Sequence, residues 1–103
     1  MTLEDVRDLV LAADPAAMHY RHARGCGPYT TWRETQRILR RADDAPELGW
    51  AFTIDRFTQK EFDEAAARIE RVLLEAEGVA YRYTVDYERD SGYIHHIFDC
   101  EGI

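Results

Sequence analysis

Residues 79–88 alternate without a break, with Val79, Tyr81, Tyr83, Val85 and Tyr87 on one parity and Ala80, Arg82, Thr84, Asp86 and Glu88 on the other. Period two is the repeat of a β-strand, whose successive side chains point to opposite faces. A strand with so apolar a face needs a sheet to join and a cover for its Tyr/Val side. The sheet partner is predicted immediately downstream: Arg89-Asp90-Ser91-Gly92 has turn chemistry and residues 93–100 resume an extended pattern, which makes a closing hairpin. The cover is predicted immediately upstream. Phe62, Ala65, Ala66, Ile69, Val72, Leu73 and Ala76 recur at the spacing of one helical face. Thr58 with Glu61 reads as a capping box, Glu64 with Arg68 as a favourable i,i+4 pair, and Gly78 as the stop, so a helix is expected over 59–76.

The same reasoning organises the rest of the chain. Leu3, Val6, Leu9 and Val10 form an apolar stripe between a Thr2/Asp5 capping box and the Asp14-Pro15 stop, predicting a helix over 3–13. Residues 17–23 and 29–34 alternate around Gly25-Cys26-Gly27-Pro28, predicting a β-hairpin. Trp50, Phe52 and Ile54 alternate with Ala51, Thr53 and Asp55 and form the candidate central strand. Between these lies a segment, 35–48, with no clean period, in which Arg37, Arg40 and Arg41 precede Asp43, Asp44 and Pro46. It reads as a long loop or arm, mobile until assembly. The expected fold is α+β, a single domain over 1–103: a mostly antiparallel sheet with two helices packed on one face, in the order α-β-β-loop-β-α-β-β.

Composition then excludes several classes of function. No apolar run approaches the roughly 20 residues of a membrane-spanning helix, and the acidic start Met1-Thr2-Leu3-Glu4-Asp5 is unlike a signal peptide, so a soluble, cytoplasmically made protein without a membrane partner is expected. A net charge of −7 argues against phosphate-backbone binding as the main task. Two cysteines, Cys26 and Cys100, are too few for a disulfide scaffold. Aromatic residues, in contrast, exceed what two short helices can cover. Tyr20, Tyr29, Trp32, Phe57, Tyr93 and Phe98 come on top of the aromatic residues of 50–54 and 79–88. Either the sheet curls on itself to bury them or some form a self-association surface.

Catalytic and metal chemistry fares poorly in the sequence. His95, His96, Asp99 and Cys100 crowd the C-terminus, but neighbours on a strand point to opposite faces, so His95 and His96 do not share a metal without a bulge. Gly25-Cys26-Gly27 leads into a strand and lacks the helix and Lys-Ser/Thr of a phosphate loop. Cys26 with His22 lacks an orienting acid and oxyanion donors, and the carboxylate pairs Asp43-Asp44 and Asp86/Glu88 show no sign of burial. No catalytic residue, cofactor or metal site is expected. The run Arg37-Ile38-Leu39-Arg40-Arg41 is different, because it concentrates positive charge in an acidic chain. It reads as a docking arm whose arginines meet acidic groups of a neighbouring subunit, and with Tyr29, Trp32 and Tyr93 it forms the expected interface set. The bland alternative is a solvated loop with two residues tucked on the core.

With this element order the sequence resembles the small tail-terminator or tail-completion proteins of long-tailed bacteriophages and prophages. The resemblance spans nearly the whole chain. It rests on the passage Trp50-Ala-Phe-Thr-Ile-Asp-Arg-Phe-Thr58 leading into the Phe62-to-Leu73 helical pattern, and on the ending Val85-Asp86-Tyr87-Glu88 to Gly92-Tyr93-Ile94-His95-His96-Ile97-Phe98-Asp99-Cys100-Glu101. It implies a virion protein of the tail or neck: a ring, commonly a hexamer, that caps the tail tube and joins it to the head-side connector. Its partners would be itself, the tube protein and the connector protein, with DNA passing through without specific binding. A ring of about six copies would carry a charge of about −42, which suits such a lumen. The rivals are a head-closure or minor tail component, a small cytosolic protein-binding module, and, remotely, a metal-dependent enzyme using His19, His22, His95 or His96.

Overall fold

The computed structural model describes residues 1–21 and 27–103. Its elements are helix α1 (Leu3–Ala13), strands β1 (Met18–His19), β2 (Tyr29–Ala42) and β3 (Ala45–Thr58), helix α2 (Glu64–Glu75), and strands β4 (Val79–Glu88) and β5 (Tyr93–Gly102). The strands form one sheet in the order β1-β2-β3-β5-β4, antiparallel except where β1 runs parallel to β2. The architecture is α+β with the expected order, and both helices lie on one face.

Local chemistry explains where the helices begin and end. At α1 the Thr2 hydroxyl accepts from the Asp5 N–H and the Asp5 carboxylate accepts from the Thr2 N–H, and these bonds hold that carboxyl below its usual range. Asp14 is the C-cap. Helix α2 is shorter than its apolar repeat predicts. Thr58 spends its hydroxyl on the Lys60 N–H, and the N-cap is Asp63, which accepts from the Ala66 N–H. The expected start at residue 59 is therefore corrected, and Phe62, expected on the apolar face, is 82% exposed. Arg68 also departs from its expected pairing with Glu64, donating instead to the Ala13 carbonyl and tying α2 to the end of α1.

Register defines the two faces of the sheet. Trp32, Ile54 and Phe98 are cross-strand neighbours, as are Phe52, Cys100 and Tyr81, and all lie on the helix side. They close a core with Val6, Val10 and Ala13 of α1 and Ile69 and Leu73 of α2. Phe52, Ile54, Ile69, Leu73 and Phe98 are buried, each contributing about 1.5–3 kcal/mol of apolar transfer.

Two expectations for the first half of the chain are corrected. The predicted hairpin of 17–23 with 29–34 is absent, because β1 has two residues and pairs parallel to β2. The chain leaves β1 at Tyr20, whose φ of 71° lies in the left-handed region and whose N–H bonds to the Trp32 carbonyl. The turn expected at Gly25-Cys26 lies outside the described residues. The predicted loop at 35–48 is also absent. Residues 29–42 and 45–58 form one long hairpin, paired from Tyr29↔Phe57 out to Ala42↔Ala45. Its two-residue turn is Asp43-Asp44, with φ of 50° and 65°, the both-positive pattern whose twist suits a hairpin. The outer half of the hairpin forms an arm, giving the molecule its 50 × 23 × 22 Å outline.

The cause of the missing period is a register shift between Glu34 and Gln36. Before it, the helix-side positions of β2 are the even residues Thr30, Trp32 and Glu34; beyond it they are Arg37, Leu39 and Arg41, opposite Trp50, Leu48 and Pro46. At the root of the arm, Gly49 packs backbone to backbone, and a Cβ there would overlap the Gly102 carbonyl. The Met1 amine donates to the Leu48 carbonyl at the same point.

Candidate functional site

The arm carries five of the eight sequence-predicted interface residues on paired strands. On one face Arg40 meets Glu47 directly across the hairpin, with Nε and Nη2 both on one carboxylate oxygen at 3.2 and 2.9 Å. On the other face the Arg37 guanidinium lies 4.7 Å from the centre of the Trp50 ring, a cation–π contact. Leu39 and Leu48 are opposite each other and are 54% and 47% exposed. Ile38 is half-buried opposite Gly49, and Arg41 is exposed opposite Pro46 with no ion pair among the described residues. These pairs keep the arm extended although, among the described residues, no helix covers either face beyond Gly49.

The other three predicted residues divide. Tyr29 and Tyr93 lie together on the face away from the helices, where Tyr29 stacks on Phe57 at 4.7 Å, Phe57 on His95 at 4.1 Å, and Tyr93 stands edge-on to Tyr29. The Tyr93 hydroxyl accepts from the Gly27 N–H and donates to the Gly27 carbonyl, fixing the entry to β2. Burial and the nearby Glu88 carboxylate push the Tyr29 phenol up. Trp32 is on the opposite face and 4% exposed, so it belongs to the core and its assignment to an interface is corrected. Phe98, counted among the surplus aromatics, is likewise fully buried.

The edge strand β4 is a surface feature that the sequence reading did not single out. Among the described residues no strand pairs its outer side, and its second half projects past the helices, leaving Val85 and Tyr87 55% and 59% exposed on the helix side. Beside them a cleft between α2 and β4 is lined by Glu61, Phe62, Glu64, Glu70, Tyr83 and His96. Its rim is acidic and apolar.

Among the described residues the titratable groups do not converge on one centre. His95 donates from Nε2 to the Asp55 carboxylate at 2.7 Å on the open face, while His96 is buried on the helix face and bonded to the Tyr83 hydroxyl. Desolvation holds the His96 imidazole below its ordinary value, against the pull of Asp63, and Arg56 and His95 lower it further. His19 bonds to Glu34 and stacks on Trp32. Burial pushes the Cys100 thiol up to about 12, leaving no thiolate at neutral pH. Cys26 and His22 lie outside the described residues. Among the described residues no three His, Cys, Asp or Glu side chains are grouped for a metal.

Among the described residues Arg56 is a highly connected polar group. It is 8% exposed on the helix side of β3, donates through Nε and Nη2 to both oxygens of Asp63, and through Nη1 to Thr30, with Asp14 at 3.6 Å. One guanidinium thus joins the C-cap of α1, the N-cap of α2 and two strands. Burial alone would raise the Asp63 carboxyl, but the hydrogen bonds from Arg56 and Ala66 outweigh it and hold the group below its usual range. This network is architectural, fixing both helices over the sheet.

The fold has a known counterpart. The structure is similar to a chain in the virion of a native gene transfer agent particle, with a TM-score of 0.59 and 12% identity, covering 97% of this chain and 88% of that one. No family model matches the sequence, and no curated protein matches it.

Proposed function

We propose that this chain is a structural protein of a phage-like virion, a tail-terminator-like subunit that assembles into a ring, caps the tail tube and joins it to the head-side connector. The observation that carries the reading is the fold likeness, over nearly the whole chain, to a component of a gene transfer agent virion. Two features of the molecule support it. The arm holds exposed leucines and arginines away from the core, an arrangement that contributes little to the stability of one copy and suits contact with another. The chain's acidity suits a lumen that DNA traverses without adhering. A head-closure component would share these features and differ in the neighbour it binds.

The test is electron microscopy of the purified chain over a concentration series. Closed rings of about six copies with a central hole support the reading. Monomers and dimers at every concentration favour the protein-binding module.

A further inference from the structure

The two long edges of the sheet are complementary in direction, face and charge. One edge is the arm half of β2, which β1 leaves unpaired beyond Trp32. The other is the whole of β4. From β2 through β3 and β5 to β4 the sheet makes three antiparallel steps, so β4 runs opposite to β2. When a head-to-tail arrangement brings the β2 edge of one copy to the β4 edge of the next, the two strands meet antiparallel, the more stable pairing. The same operation keeps the helices on one side of the joined sheet.

Resting on the self-assembling reading above, we propose that the arm of one copy adds as a strand to the β4 edge of the next, laying Leu39 against Val85 and Tyr87 and bringing Arg41 to the acidic cleft between α2 and β4. The parities agree. The helix-side positions of the arm are Arg37, Leu39 and Arg41, and those of β4 are Tyr83, Val85 and Tyr87. With Leu39 opposite Val85, Arg41 falls opposite Tyr83 at the cleft with Glu61, Glu64 and Glu70, and Arg37 falls opposite Tyr87. On the other face Arg40 falls opposite Thr84, diagonal to Asp86 and to Arg82. Exposed apolar side chains of both edges become covered, and a basic strand meets an acidic margin, which is the charge pattern identical acidic copies need in order to approach. The occupant of each edge is a second copy of this chain.

Leu39→Asp disables the arm and Val85→Asp disables the edge, and each side chain is more than half exposed, so both variants should fold, as circular dichroism would check. Sedimentation of each variant alone should show self-association weakened roughly 30-fold or more against the unaltered chain. Mixed in equal amounts, they retain one intact arm and one intact edge between them and should form a one-to-one dimer and nothing larger. If the unaltered chain assembles but either variant assembles equally well, or the mixture stays monomeric, the arm-to-edge contact is overturned while the ring reading stands. If the unaltered chain is still monomeric at about 1 mM, both are overturned.

Discussion

The long hairpin of β2 and β3 is two different structures along its length. Near the base, Trp32, Phe52 and Ile54 are buried under α1 and α2, and the strands are held by the core. Beyond Gly49 the same two strands continue with no helix over them among the described residues, held by Arg40–Glu47 and by the Asp43-Asp44 turn, while at the root Arg37 lies over Trp50. The base is a strand pair because of what it packs against within one copy. The arm keeps the same geometry with large apolar and cationic side chains in solvent, which are the side chains the proposed arm-to-edge contact would cover.

The largest effect should come from hollowing the base. Phe98→Ala removes a fully buried ring and should cost about 3–5 kcal/mol, whereas Leu39→Ala on the arm should change stability by less than about 0.5 kcal/mol. Denaturant melts of the two variants check the contrast, and equal losses would break it. Next in size is Arg56→Met, which leaves the Asp63 and Asp14 carboxylates buried without their cation. It should cost about 3 kcal/mol in the same melts.

Acid should loosen the base as well. The folded state holds both the His96 imidazole and the Asp63 carboxyl below their ordinary values, so the unfolded chain binds more protons. Stability is therefore full above the ordinary histidine value and is lost as pH falls, first through the histidine range and then through the carboxylate range. His96→Phe should flatten the first part of a melting-temperature profile between pH 7 and 5, and an unchanged profile would contradict the assignment. The smallest effect belongs to the tip of the arm. Asp43→Asn with Asp44→Gly supplies the residues that two positive φ angles prefer and should stabilise the hairpin by about 0.5 kcal/mol, read as slower amide exchange in the arm.

Legibility in the sequence follows the same division. Unbroken periods gave away α1, the apolar face of α2, β4 and most of β5, because one face of each packs against the core, in β4 through Val79, Tyr81 and Tyr83, after which its repeat runs on into the exposed Val85 and Tyr87. The arm hid itself: the register shift after Glu34 moves its helix-side residues from even to odd positions, and an Asp-Asp pair replaces the common Asn-Gly turn. The arginines at 37, 40 and 41 and their leucine were nevertheless singled out by charge contrast alone. β1 is too short to have a period, and its parallel pairing depends on a left-handed Tyr20 that no local rule predicts. Arg56 was visible in principle. It is a cation on the apolar parity of Trp50, Phe52 and Ile54, which signals either a strand end or a buried ion pair. The β4 edge was missed because pairing order, unlike pairing itself, is a long-range property.

The most direct test of the claim that the arm serves assembly and not folding is to remove it. Residues 39–48 can be replaced by Asn-Gly, so that Ile38 and Gly49, already cross-strand neighbours, close a two-residue turn. Light scattering and thermal melting of this shortened chain, beside the full one, should show a melting temperature within about 5 °C and no species larger than a monomer. A shortened chain that assembles as the full one does, or that no longer folds, would contradict the account.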